Sequence, residues 1–325
     1  LLGNYYHNNK RKLMVKYFPK LRLAMNHFIM DILIAREMTY PLSAKNKLNP
    51  FFIIGAGRSG TTLLRTMLMG HPEIIIPPES FAFRPAFKKF HILQNSSWGK
   101  ITNAIIKCYS SSKQFSMWDI ELTNVELKGT QLDNKDKSLA NLIDLIYREY
   151  GRINKPKALR WGDKTPLNTF YLKWVNKTFP NAKFINLIRD GRDVVSSLKV
   201  AGLSSITNSC LRWNQAIEMV REFEKTIEQE RIITVRYEDL VSNTQFEIQN
   251  ICQFLEMDFS DGMINHESVS LNMMDVQQYE HFKNLLNPIN KKSIGKWKDN
   301  LSNIEKKLMI PKIIKNLKQL EYVIE

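Results

Sequence analysis

Apolar and polar positions alternate along this chain in blocks that change period. From Pro50 an unbroken apolar run, Phe51 to Ile54, stops at Gly55, and the chain passes through Ala56-Gly57-Arg58-Ser59-Gly60-Thr61-Thr62. Helical spacing resumes at Leu63, Leu64, Met67 and Leu68. A short apolar run bounded by glycine fits a buried strand, and the repeat after it fits a helix with one buried face. Further strands are predicted at Glu73 to Pro77, Ala182 to Ile188 and Ile232 to Arg236. Helices are predicted at Phe81 to Leu93, Asn141 to Tyr150 with Ser138 as cap, Leu167 to Phe179, Val194 to Val200, Ser209 to Glu230, Thr244 to Leu255 and Ile304 to Tyr322. The rhythm implies right-handed parallel βαβ units, hence an α/β fold with a central, mostly parallel sheet.

Three stretches fit this rhythm less well. Residues 1 to 48 are basic and mixed, with one amphipathic helix after Pro19, read as an extension packed on the core; its cationic apolar pattern also suits a membrane surface. Residues 95 to 137 are polar with isolated aromatics and predict an acceptor-side lobe of short helices. Residues 258 to 290 lose clear periodicity before the basic loop Lys291-Lys292-Ser293-Ile294-Gly295-Lys296-Trp297-Lys298. No internal repeat or linker divides residues 49 to 325, which read as one domain.

The loop after the first strand carries chemistry. Glycines at 55, 57 and 60 allow a tight turn whose N–H groups converge with a helix N-terminus, a natural seat for an anion. Arg58 and the hydroxyls of Ser59, Thr61 and Thr62 add charge and donors. Gly55-x4-Gly60 nearly fits the P-loop of nucleoside triphosphatases, but Thr61 stands where that motif needs lysine.

Other charged groups stand where predicted strands or turns end. Glu79 follows the second strand and faces the same crevice, or else complements the dipole of the next helix. Lys164, in the turn Trp161-Gly162-Asp163-Lys164-Thr165-Pro166, is a functional cation or a solvated partner of Asp163. Arg189 ends the strand Ala182 to Ile188 as an anion ligand, or pairs with its neighbours; Asp190 or Asp193 caps the following helix.

Composition adds one constraint. Hydrophobic content of 43% and charged content of 24% in 325 residues are ordinary, while a formal net charge of +15 is not. That surplus favours an anionic cofactor, a polyanionic acceptor, nucleic acid or an acidic membrane surface. Cys108, Cys210 and Cys252 have no metal-type spacing and an odd count, which argues against a disulfide framework and for a reducing compartment. No run of about 18 apolar residues suggests a membrane span.

Four separated segments together resemble one family, the PAPS-dependent sulfotransferases. PFFIIGAGRSGTTLLRTML resembles their 5′-phosphosulfate loop, FINLIRDGRDVVSS their 3′-phosphate motif, VRYEDL the strand and turn that follow, and KKSIGKWK their C-terminal closing loop. RSGTTLLRTMLMGHPEI and WGDKTP are similar to the tyrosylprotein-sulfotransferase-like and bacterial branch. The resemblance covers about residues 50 to 300. It implies a P-loop-type three-layer α/β/α fold, PAPS as donor and PAP as product, with no metal expected. It also implies that Arg58, Ser59, Gly60, Thr61 and Thr62 hold the 5′-phosphosulfate, while Arg189, Ser197, Tyr237 and Lys296 hold the 3′-phosphoadenosine end. Glu79 matches the general base, and Lys164 matches a lysine acting at the bridging oxygen beside Arg58.

The closing loop departs from the family pattern by one residue and by Ser293 in place of glycine, which leaves Lys291 and Lys292 without assigned roles. A catalytic serine of the tyrosylprotein branch falls near His281 and is not carried over. The expected acceptor is a hydroxyl of a saccharide, a peptide tyrosine or a small metabolite, not nucleic acid. A P-loop kinase and a non-catalytic polyanion binder are the alternatives. A homodimer and a cytoplasmic location are expected, with the Golgi lumen as the alternative if an anchor precedes Leu1.

Overall fold

The computed structural model describes residues 38–271, 273, 276–277 and 285–324, together with 28 and 32. The predicted N-terminal helix, apart from Phe28 and Ile32, and His281 lie outside the described residues. The strands are β1 (Phe51–Ile54), β2 (Ile74–Ile75), β3 (Arg160–Asp163), β4 (Lys183–Ile188) and β5 (Ile232–Arg236). They form one sheet in the order β2-β3-β1-β4-β5, and every pairing is parallel.

Helix α1 (Thr61–Met69) follows β1. Between β2 and β3 come α2 (Phe83–Ile92), α3 (Trp98–Ser110), α4 (Thr123–Thr130) and α5 (Leu139–Asn154). Helix α6 (Leu172–Thr178) precedes β4, and α7 (Gly191–Val200) and α8 (Ile206–Glu224) follow it. After β5 lie α9 (Tyr237–Ser242), α10 (Thr244–Leu255), α11 (His266–Leu271), α12 (Trp297–Asn300) and α13 (Asn303–Gln319).

Alternation along β1 builds the layers. Phe52 and Ile54 enter a core with residues of α2, α3, α5 and α6, whereas Phe51 and Ile53 enter another with α1, α9 and α10. Side chains two apart share a face, so the sheet is sandwiched between helical layers. A third core joins α7, α8 and α13. The fold is the expected three-layer α/β/α arrangement.

Several boundaries differ from the sequence reading. The Trp161 turn is in part a strand: β3 inserts between β2 and β1, and Pro166–Tyr171 forms a 3₁₀ turn before α6. Arg-Trp-Gly-Asp has too few apolar residues to read as a strand. Gly162 serves there because a Cβ would lie 2.5 Å from the Phe51 ring. Helix α8 starts at Ile206 under a Ser205 cap and ends at Glu224, earlier than expected. Residues 95 to 137 contain the long helix α3 as well as the short α4, and Ile101, Ile105 and Tyr109 of α3 are buried.

Candidate active site

The carboxyl end of each strand leads to one cleft, which Lys164 reaches through its bonds to the lining residues Glu79 and Thr62. Beyond β1 lies the Arg58–Thr62 loop, beyond β2 Glu79, beyond β3 Lys164, beyond β4 Arg189 and beyond β5 Tyr237. The chain goes from β1 outward to β2 and returns to place β4 on the other side, so the sheet order reverses beside β1. Carboxyl ends at such a reversal frame a crevice. Its volume is about 1270 Å³, and Arg58, Gly60, Thr61, Thr62, Glu79, Arg189, Ser197, Tyr237 and Lys296 line it.

In the β1–α1 loop the left-handed residues are Gly55, Arg58 and Gly60, with φ of 132°, 72° and 93°. Gly57, expected to aid the turn, does not adopt that conformation. At Gly60 a side chain is excluded twice, since an added Cβ would also run into the Tyr237 ring. No side chain caps α1 and no acid occupies its first turn, which leaves its N–H groups facing the cleft side of the loop. The hydroxyl of Ser59 is buried and has no hydrogen-bond partner among the described residues. A buried orphan hydroxyl beside an uncapped helix start fits an anionic group in this cradle.

Lys164 is fully buried, and its Nζ donates to Glu79 Oε1 at 2.5 Å and to Thr62 Oγ1 at 3.2 Å. Its neighbour Asp163 is not its ion partner. The Asp163 carboxylate instead accepts from Tyr147 at 2.6 Å, Asn168 at 2.8 Å and Thr165 at 3.2 Å. Burial raises the Asp163 pKa, and these three donors oppose the rise. Thr169 ties the same turn to β1, accepting from Gly55 N–H at 2.9 Å and donating to Gly55 C=O at 3.0 Å. On the lobe side, Trp118 Nε1 donates to Pro78 C=O at 2.9 Å and fixes the turn that presents Glu79. Asp163 and Thr165 stand in the WGDKTP segment, whereas Trp118, Tyr147, Asn168 and Thr169 belong to no motif read in the sequence.

Arg58 Nε donates to Ser197 Oγ at 3.1 Å, linking the first loop to α7. Burial lowers the Arg58 pKa most, Arg189 lowers it further, and Glu79 opposes both. The group stays cationic at neutral pH. Arg189 donates to Arg58 C=O at 3.1 Å and to Ser293 C=O at 2.6 Å, and its guanidinium lies 4.5 Å from the Tyr237 ring centroid. Its Nε is buried without a partner among the described residues, as is the Ser196 hydroxyl nearby. Arg189 is therefore not paired with an adjacent aspartate. Arg192 is, forming the ion pair with Asp190 at 2.7 Å, and Asp190 caps α7.

Asp193 has a use that its position in the sequence hides. Its carboxylate accepts from Gly295 N–H at 2.8 Å and Trp297 N–H at 2.9 Å, across a separation of about a hundred residues. Arg192 adds a contact 4.6 Å from the Trp297 ring centroid. Tyr237 OH and Ser293 Oγ are 2.5 Å apart. The basic loop is thus held over the cleft, where Lys292, Ser293 and Lys296 line it. The backbone carbonyl and hydroxyl of Ser293 both take part, although Ser293 departs from the family pattern.

Comparison with known proteins agrees with this architecture. Residues 50–261 match the model of the Sulfotransferase family. Over 261 residues the chain is 25% identical to protein-tyrosine sulfotransferase A of Caenorhabditis elegans, covering 78% of this chain and 62% of that protein. Identity to the Drosophila melanogaster protein-tyrosine sulfotransferase is 27% over 256 residues, 76% of this chain and 46% of the relative. The chain thus spans less than two thirds of the length of these relatives. The sulfotransferase domain of the Synechococcus PCC 7002 olefin synthase shares the fold with a TM-score of 0.60 at 22% identity, covering 88% of this chain and 99% of that one. The sulfotransferase domain from the curacin biosynthetic pathway does so at 0.56 and 20%, over 86% of this chain and 100% of its own. With its strand ends, loop and closing segment arranged in this way and its residues 50–261 matched, the chain belongs to the sulfotransferase family.

Proposed function

We propose that the cleft transfers a sulfuryl group from PAPS to an acceptor hydroxyl and releases PAP. The observation that carries this reading is the meeting of two cation clusters: Arg58 and Lys164 around Glu79, and Arg189 with Lys292 and Lys296 of the closing loop. A nucleotide with phosphates at both its 5′ and 3′ positions needs two such places. The uncapped start of α1 and the orphan Ser59 hydroxyl suit the 5′-phosphosulfate with Gly60, Thr61 and Thr62. The orphan Arg189 Nε, with Ser197, Tyr237 and Lys296, suits the 3′-phosphate and adjoining nucleoside.

The chemistry is an in-line displacement. The acceptor oxygen forms a bond to sulfur while the bond from sulfur to the bridging phosphate oxygen breaks, and that oxygen keeps the electron pair. Negative charge grows there, and Lys164, Arg58 and the fixed N–H dipoles of α1 are preorganised to stabilise it. Glu79 takes the acceptor proton. In the present arrangement its carboxylate is held by Lys164, so donor binding, which draws Lys164 toward the bridging oxygen, releases Glu79 for the acceptor. The named relatives favour a tyrosine hydroxyl of a peptide among the acceptor classes.

The test is transfer of labelled sulfate from PAPS to a panel of tyrosine peptides, phenols and sugars. Wild type should label one class. Glu79→Gln should bind PAP equally but turn over about 10²–10⁴-fold more slowly, the usual weight of a general base. Unchanged turnover would remove Glu79 from the mechanism.

A further inference from the structure

The last helix presents an outward face unlike an ordinary solvated one. On α13 the exposed residues are Asn303, Ile304, Lys307, Leu308, Pro311, Lys312, Lys315, Lys318 and Gln319, so every exposed charge is a lysine. At about 100° per residue, Ile304, Leu308, Pro311 and Lys315 fall along the middle of this face, with Lys307, Lys318 and Lys312 on its flanks. Ile304 is 80% exposed and Leu308 46%. The acid of the first turn, Glu305, is occupied elsewhere, in the capping box with Ser302 and in an ion pair with Lys199 at 3.2 Å. Lys312 and Lys315, and Lys315 and Lys318, stand three residues apart, a like-charge spacing that destabilises a helix.

The Lys199–Glu305 bridge also sets the end of α7 beside the start of α13. There Val200 and Leu203 are 62% and 54% exposed, and both line the mouth of the cleft. Apolar side chains in the middle of a lysine field match an interface that offers anionic headgroups above hydrocarbon. A nucleic acid or sulfated polysaccharide would engage the lysines and leave Ile304, Leu308, Val200 and Leu203 in water.

We propose that the outward face of α13, with Val200 and Leu203, docks on an anionic phospholipid bilayer. Docking turns the cleft mouth toward the membrane surface. The proposal rests on surface chemistry alone and stands apart from the transfer reaction.

The experiment is co-sedimentation of the full chain with vesicles of phosphatidylcholine alone and of phosphatidylcholine mixed with phosphatidylglycerol. Binding is expected only to the mixed vesicles. The triple variant Lys307→Gln, Lys315→Gln, Lys318→Gln should weaken it by roughly a hundredfold, at about a fivefold loss per lysine near such a surface. The double variant Ile304→Ser, Leu308→Ser, which keeps every charge, should weaken it by at least about tenfold. Equal vesicle binding by wild type and both variants would overturn the proposal. Loss in the lysine variant alone, with heparin binding lost in parallel, would overturn it in favour of a polyanion. Vesicle binding absent from wild type, with a dimer that the serine variant dissociates, would overturn it in favour of a second copy of this chain.

Discussion

Glu79 and Lys164 form the charged pair on which the proposed chemistry turns, and each is set in place through the residue beside it. Trp118 fixes the Pro78 turn, and Tyr147, Asn168 and Thr165 fix Asp163 beside Lys164. Glu79→Gln is therefore expected to alter proton transfer without moving the nucleotide site, which the paired turnover and PAP-affinity measurements distinguish. A second residue-scale expectation concerns His91, buried in α2 with Nδ1 3.0 Å from Phe87 C=O and Nε2 without a partner among the described residues. Burial lowers its pKa, with Lys177 contributing in the same direction. The unfolded chain then binds the proton more readily, so this contribution is complete above about pH 6.5 and is lost as pH falls below that value. Thermal unfolding should show wild type losing more stability than His91→Phe between about pH 7.5 and 5.5. Parallel losses in the two proteins would contradict the burial argument.

At the scale of elements, α7 is the hinge of the site. Its cap Asp190 follows Arg189, its first turn offers Asp193 to the closing loop, and its last turn carries Ser197 to Arg58. Asp193→Ala leaves two backbone N–H groups without their acceptor, at about 1–3 kcal/mol for each group kept from water. We expect PAP affinity to fall at least about tenfold while the melting curve moves little, because loop 291–297 can reach solvent when released. Titration of PAP checks this; unchanged affinity would mean that the loop does not close on nucleotide. Strand β3 gives the complementary expectation. Gly162→Val drives a side chain into the Phe51 ring and should cost about 1–3 kcal/mol in urea unfolding, as overpacking does.

These two elements also show what the residues disclosed in advance. The β1–α1 unit was legible because an apolar run, a glycine-rich turn and a helical repeat are all local signals. Helix α10 matched at both ends for the same reason. Strand β3 was hidden because its stability comes from pairing on both sides, and the hold of Asp193 on the closing loop was hidden because its partners lie about a hundred residues away. Such long-range hydrogen bonds leave no period in the chain.

For the molecule as a whole, five parallel strands bring five separate segments to one cleft, where Arg58, Arg189, Lys292 and Lys296 gather. The doubly phosphorylated nucleotide is the central claim, and it can be tested without knowing the acceptor. The most direct measurement is calorimetric titration of wild type and Arg189→Ala with PAP and with 5′-AMP, which lacks the 3′-phosphate. Wild type should prefer PAP by about ten- to a hundredfold, the scale of a charge-assisted pair with a buried guanidinium, and Arg189→Ala should erase most of that preference. Equal affinity of wild type for PAP and 5′-AMP, or a preference that survives in Arg189→Ala, would contradict the account.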